Sequence, residues 1–294
     1  MEFVPSIAAA PLLSFFDSAS FLAAVDMSAL RFTDEVPWFS NSTFVGLVVA
    51  LLFIIFGLRA GSKPQAIPER GSSNLFEAIV EKLYDMLEGI VGHHMVGKVL
   101  PLLATIFLFV VLSNWSGLFP GVGTIGAGYE PPGDFRQVDY VSKPILRPMT
   151  SDLNGTLAVA AMFMFLWLWW TIRELGFMGF LSHLFAPKGN LSPLLTVVLA
   201  PIFLFVGFIE IISISFRPLS LSLRLYGNIY AGESLLHTMA QLGSALPPVF
   251  SFALSVLAPL PFYFLEVLIG LLQGLVFMLL CAVYIRLSTS HDDH

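Results

Sequence analysis

Cysteine is nearly absent: the lone Cys281 in 294 residues excludes an intrachain disulfide and a cysteine-based metal cluster, and reads as a small apolar packer. Charge is scarce as well. Only 12% of the residues are Asp, Glu, Lys or Arg, against 56% apolar, and the mean hydropathy is +0.84. Such a chain has too little polar surface to cover a water-soluble globule of its size, so it belongs in a bilayer as one membrane domain. The net charge of −6 is modest and no block of like charge occurs, which removes nucleic acid as a partner class. No phosphate-cradling P-loop is present, so nucleotide chemistry is excluded from this chain. Early Lys and Arg are missing too. The apolar stretch Phe3 to Phe16 follows Glu2 and no basic residue, which contradicts a secretory n-region. Asp17 and Asp26 leave its uncharged runs short of the roughly 20 residues that cross a bilayer. Residues 1–35 therefore read as a surface-lying extension.

What is present is a series of long uncharged runs. Val36 to Leu58 is the first span, followed by Arg59, Lys63 and Arg70 in a Gly/Pro/Ser-rich link. Asn74 to His94 places Leu75, Ile79, Leu83, Leu87 and Ile90 on one face, with Glu77, Glu81, Lys82, Asp85 and Glu88 between them. That pattern predicts an amphipathic helix in the interface plane, with Asn74 and Glu77 as a capping box at its start. A second span over Val99 to Phe119, an outer loop over Gly121 to Met149 and a third span over Leu153 to Ile172 follow. Arg59, Lys63, Arg70, Lys82, Lys98, Arg173, Lys188 and Arg286 fall on one side, against Arg31, Arg136, Lys143 and Arg147 on the other. The bias predicts an outer N-terminus, an inner C-terminus and an odd number of crossings. Hydropathy alone divides Asn190 to Ile285 into two, three or four pieces.

Ionisable residues within membrane helices each cost about 2.5 to 3.5 kcal/mol on insertion scales and so face a partner, a cavity or a transport path. Glu210, Arg217, Arg224 and Glu233 interrupt one apolar segment. The first three recur every seven residues, which at about 100° per residue returns to within roughly 20° of one direction. Asn228 extends that stripe, whereas Glu233 points about 180° from Arg224 and shares its face with His237. In the last helix Glu266 and Gln273 share a face, with Gly270 between them as a groove for water or a neighbouring side chain. The competing reading is that these charges are internal pairs that fix helix register. His93, His94 and the tail His291 to His294 offer no constrained metal-ligand spacing and read as solvated.

The stretch Ser220-Leu221-Ser222-Leu223-Arg224-Leu225-Tyr226-Gly227-Asn228-Ile229-Tyr230-Ala231-Gly232-Glu233 resembles the signature of the proton-path subunit, subunit a, of rotary F-type ATP synthases. Asn114-Trp115-Ser116-Gly117-Leu118-Phe119-Pro120, Pro148-Met149-Thr150-Ser151-Asp152-Leu153-Asn154-Gly155-Thr156-Leu157 and Gln273 extend the resemblance over about Gln65 to Ser288. It implies an all-α membrane protein of about five crossings plus an interfacial amphipathic helix. Two long tilted C-terminal helices would form a rotor-facing hairpin at about 190–288, within a membrane domain of 36–288 and ahead of a short tail at 289–294.

The resemblance further implies a proton-conducting stator that takes no cofactor or metal and has no catalytic centre of its own. Its partners would be the rotor ring of c subunits, the peripheral-stalk b subunits, the other synthase subunits and the lipid of a bacterial inner membrane. Arg224 would be the essential stator arginine, Asn228 and Gln273 its polar neighbours, Glu233 and Glu266 the outer half-channel, and Glu210 the inner one. The family's better-known members pair glutamate with histidine where this chain has Glu233 and Glu266. Two neighbouring carboxylates share a proton, and His237 stands one turn away as a substitute imidazole. A secondary transporter and a non-transporting scaffold are the alternatives; matched halves with broken helices, the mark of the first, are not visible.

Overall fold

The computed structural model describes residues 40–61, 71–119, 122, 126–127, 143–144, 146–185, 193–242 and 248–289. Residues 1–35 and the tail histidines lie outside that set, as do Lys63, Arg70, Arg136 and Lys188 of the charge count. Helices α1 (Asn41–Gly61), α2 (Gly71–Val91) and α3 (His93–Ser116) come first, then paired two-residue strands β1 (Gly126–Ala127) and β2 (Lys143–Pro144). A 3-10 turn, Met149–Ser151, leads into α4 (Leu153–Phe185), α5 (Pro193–Gln241), α6 (Pro248–Leu257) and α7 (Pro259–Thr289). Five stretches are long and apolar enough to cross a bilayer: 41–59, 93–116, 153–173, 198–240 and 253–287.

Local chemistry accounts for where these helices begin and turn. Ser40 caps α1, its Oγ accepting the Thr43 N–H at 3.3 Å, while Asn41 Oδ1 accepts the Ser42 N–H at 2.8 Å. Helix α2 starts three residues before the expected capping box, so Asn74 lies inside the helix rather than at its cap. Between α2 and α3 stands Gly92 at φ 83°, a conformation that a Cβ disfavours, and its one-residue turn redirects the chain from a charged surface helix into a spanning one. His93, at the start of α3, is exposed and meets Glu88 at 2.6 Å.

The third span runs beyond its expected end: α4 continues to Phe185, with a break in helical geometry at Gly176. Helix α5 holds 49 residues, roughly 74 Å at about 1.5 Å per residue. It exceeds a core of about 30 Å and stays within one only when steeply inclined. Pro201 and Pro218 sit inside it. The final apolar run divides at Ala258 into α6 and α7, which settles the ambiguity hydropathy left.

The packed centre joins α2, α3, α4 and α7 through Leu87, Leu103, Phe163, Phe277 and Met278, all fully buried. Lipid is as apolar as these side chains, so close packing and interhelical hydrogen bonds hold the helices together. One of those bonds, Thr156 to Ser222, joins two of the motifs. Asn114 Nδ2 donates to the Gly270 carbonyl at 3.1 Å, and Trp115 Nε1 to the Val267 carbonyl at 3.1 Å. The expected groove at Gly270 is thus occupied by the Asn114-Trp115 pair of α3. Trp167 Nε1 donates to the Tyr284 carbonyl at 3.0 Å, and Thr156 Oγ1 meets Ser222 Oγ at 2.9 Å, joining α4 to α7 and to α5.

Candidate proton path

Helix α5 carries most of the predicted groups, and its surroundings change along its length. At Arg217 the helix is covered. Arg217 Nη2 lies 3.1 Å from Glu210 Oε1, and its guanidinium stacks 4.7 Å from the Tyr284 ring centre and 5.6 Å from that of Trp167. The spacing of seven suits the pair because two helical turns bring both side chains to one face. Arg217 is therefore a packing and pairing group, clamped between α4 and α7.

One heptad further, Arg224 is exposed on the surface of the chain, with Leu219 and Leu223 also exposed beside it. It makes no ion pair or hydrogen bond among the described residues, and Glu210, its expected register partner in the packing alternative, is engaged by Arg217 instead. The stripe drawn from the spacing is thus one face with two environments. Asn228 continues the open side, where its Nδ2 donates to Gln273 Oε1 at 2.7 Å. Gln273 itself is buried, so the contact ties α5 to α7 one turn beyond Arg224.

Glu233 and Glu266 come together about two turns beyond Arg224 along α5. Glu266 is buried on α7, and its carboxylate fills the space that a Cβ on Gly232 would occupy. Only glycine admits that approach. Glu233, the next residue, lies within Coulombic reach of Glu266. His237 follows on α5, its side chain outside the described set. Among the described residues no group of three His, Cys, Asp or Glu forms a metal-holding cluster.

Several site residues were not apparent from the sequence. Arg147, counted above as an outer-loop charge, is buried at 8% exposure, and its Nε donates to Ser151 Oγ at 2.9 Å. Asp152 is bound by Ser42 Oγ at 2.8 Å and by the Asn154 N–H at 2.9 Å, which fixes the start of α1 against the 3-10 turn. Ser113 Oγ, Asn114 Oδ1 and Thr150 Oγ1 are buried without a hydrogen-bond partner, the condition that bound water relieves. Their signal was the Pro148 to Thr156 motif, whose polar residues read as an outer-loop boundary until the turn folds inward.

A 49-residue helix with an exposed arginine, an Asn228–Gln273 bridge and the neighbouring Glu233 and Glu266, in a chain with five stretches apolar enough to cross a bilayer, defines a polytopic membrane protein with ionisable groups among its spans. The sequence profile of the family described as ATP synthase A chain matches residues 42–286, and the chain belongs to that family. "ATP synthase subunit a" of Protochlamydia amoebophila is 32% identical over 249 residues, covering 84% of this chain and 79% of that protein. The protein of the same name from Campylobacter curvus is 32% identical over 248 residues, covering 84% and 89%, and that from Desulfotalea psychrophila 31% over 253, covering 85% and 84%. Membership places the chain in the membrane sector of an F-type ATP synthase, as a subunit without catalysis of its own.

Proposed function

We propose that this chain provides two offset half-channels for protons and separates them with Arg224, coupling proton flow to rotation of a ring of c subunits. The observation that carries this reading is the exposed Arg224, without an ion pair or hydrogen bond among the described residues, on a helix too long to stand upright in the bilayer. Arginine keeps its proton under all physiological conditions. A guanidinium about 4 Å from a rotor carboxylate attracts it by roughly 4 kcal/mol at an effective dielectric of about 20, enough to keep that carboxylate ionised while it passes.

Protons reach the ring from outside by way of Glu233 and Glu266, and leave inward past Glu210. Asn228 and Gln273 hold the ring-facing surface beside Arg224, and His237 assists the outer pair. Direct passage between the half-channels is opposed by the fixed positive charge. Each proton rides the ring for nearly a full turn, driven by about 2.3 kcal/mol per charge per 100 mV. The N-terminus lies outside, the C-terminus inside a bacterial inner membrane, and peripheral-stalk b subunits hold the chain against rotation.

The test is proton flux in vesicles normalised to assembled complex. Arg224→Ala abolishes ATP-driven pumping while the membrane sector still assembles and leaks passively, and Arg224→Lys impairs coupled synthesis, because an ammonium can lose its proton and lacks the planar fork. Normal coupled pumping by Arg224→Ala would sink the mechanism.

A further inference from the structure

Arg147 is a permanent charge buried inside the chain, and a buried guanidinium needs a counter-charge. Its hydrogen-bond partner among the described residues, Ser151 Oγ, is neutral and itself donates to the Pro148 carbonyl at 2.9 Å. The Met149–Ser151 turn that follows it packs on α5, which α4 also meets through the Thr156–Ser222 contact. From there the Arg147 charge lies within Coulombic reach of Tyr226 and Glu233 on α5. The titratable groups facing this spot are Asp152 from the end of the turn, Tyr226, Tyr230 and Glu233 from α5, and Glu266 from α7. Tyr226 and Tyr230 stack on one another, and Asp152 is committed to Ser42 and to the Asn154 N–H. Among the described residues of α5, Glu233 is the carboxylate on which the Arg147 charge acts.

We propose that Arg147 is a positioning residue of the outer half-channel, a fixed cation that orients Glu233 and stabilises the state in which the Glu233–Glu266 pair has handed its proton onward. Ser151 aims the guanidinium, and the Asp152–Ser42 contact holds the turn in place. After the shared proton passes from the pair to the rotor carboxylate, both carboxylates are ionised until the next proton arrives from outside. Arg147 keeps that charge from standing uncompensated in a buried site. The arginine gives up no proton itself, since a guanidinium cannot act as the relay. This rests on the assignment of Glu233 and Glu266 to the proton path made above.

The experiment uses the complete synthase in vesicles, with ATP-driven proton pumping measured per assembled complex for Arg147→Gln, Arg147→Lys, Glu233→Gln and the double variant Arg147→Gln/Glu233→Gln. Arg147→Gln lowers pumping about fivefold to tenfold, Arg147→Lys restores at least about half of it, and the double variant pumps no worse than Glu233→Gln alone, because removed partners do not add. A merely structural arginine gives a different pattern: less assembled complex for Gln and Lys alike, with unchanged flux through what assembles, and that result overturns the proposal. Glu233→Gln at the wild-type rate overturns both this inference and the proton-path assignment. Impaired Glu233→Gln with normal Arg147→Gln overturns this inference alone.

Discussion

Arg217 and Arg224 stand one heptad apart on the same helix, yet one is clamped and the other is open. Around Arg217, Trp167 of α4 and Tyr284 of α7 close over the guanidinium and Glu210 neutralises it. Arg224 is exposed, with no neighbouring element closing over it among the described residues, and Leu219 and Leu223 beside it are exposed as well. The difference teaches that spacing fixes direction while neighbours decide use. An arginine satisfied within the chain fixes helix register, and an arginine left without an internal partner at membrane depth is available to a partner outside the chain.

Four substitutions test that contrast, beginning with the largest effect. Arg224→Ala should reduce ATP-driven pumping by more than about a hundredfold with the sector still assembled, since no other group on the open face carries a permanent charge. Equal loss of assembly and pumping would make Arg224 a second Arg217. Gly232→Ala comes next: the new methyl displaces the Glu266 carboxylate, the far end of a flexible side chain, so the group moves while the helices stay packed. Pumping falls several-fold in complexes that still assemble, and an unaltered rate would show that the Glu266 position is immaterial.

Arg217→Ala acts on the other side of the comparison. Losing two ring contacts removes about 1 to 2 kcal/mol and leaves Glu210 without its cation, so thermal stability and yield of the complex drop. Flux per assembled complex should stay within about threefold, and a collapse in flux at normal yield would move Arg217 into the path. The smallest effect belongs to Gln273→Leu. It breaks one hydrogen bond to Asn228, worth about 1 kcal/mol, and should slow pumping by less than about fivefold, measured in the same vesicles.

The helices were legible because membrane spans announce themselves by length and lack of charge, and the interfacial helix by its alternation of leucines with acids. The seven-residue spacing placed Glu210, Arg217 and Arg224 on one face, as the Glu210–Arg217 pair bears out. What spacing could not supply was the cover. Trp167 and Tyr284 are 117 residues apart and meet only through tertiary packing, so nothing local separates a clamped Arg217 from an open Arg224. The burial of Arg147, counted as an outer-side charge, was not legible for a related reason: it follows from the turn after it packing against α5. The extra length of α4 and the start of α2 at Gly71 were boundary matters, which periodicity places less well than existence.

The end of α7 has a consequence in time rather than in space. Arg286 Nη1 donates to the Ile90 carbonyl across 196 residues at 2.9 Å, just before the Gly92 turn, and Tyr284 receives the Trp167 indole within the same helical turn. Helices α2 and α4 are made long before this last segment leaves the ribosome, and their polar groups wait for it. The chain thus closes like a clasp, its final helical turns completing contacts begun near the first. A nascent chain stopped short of Tyr284 would hold the spans and the surface helix in the membrane but not yet the fold.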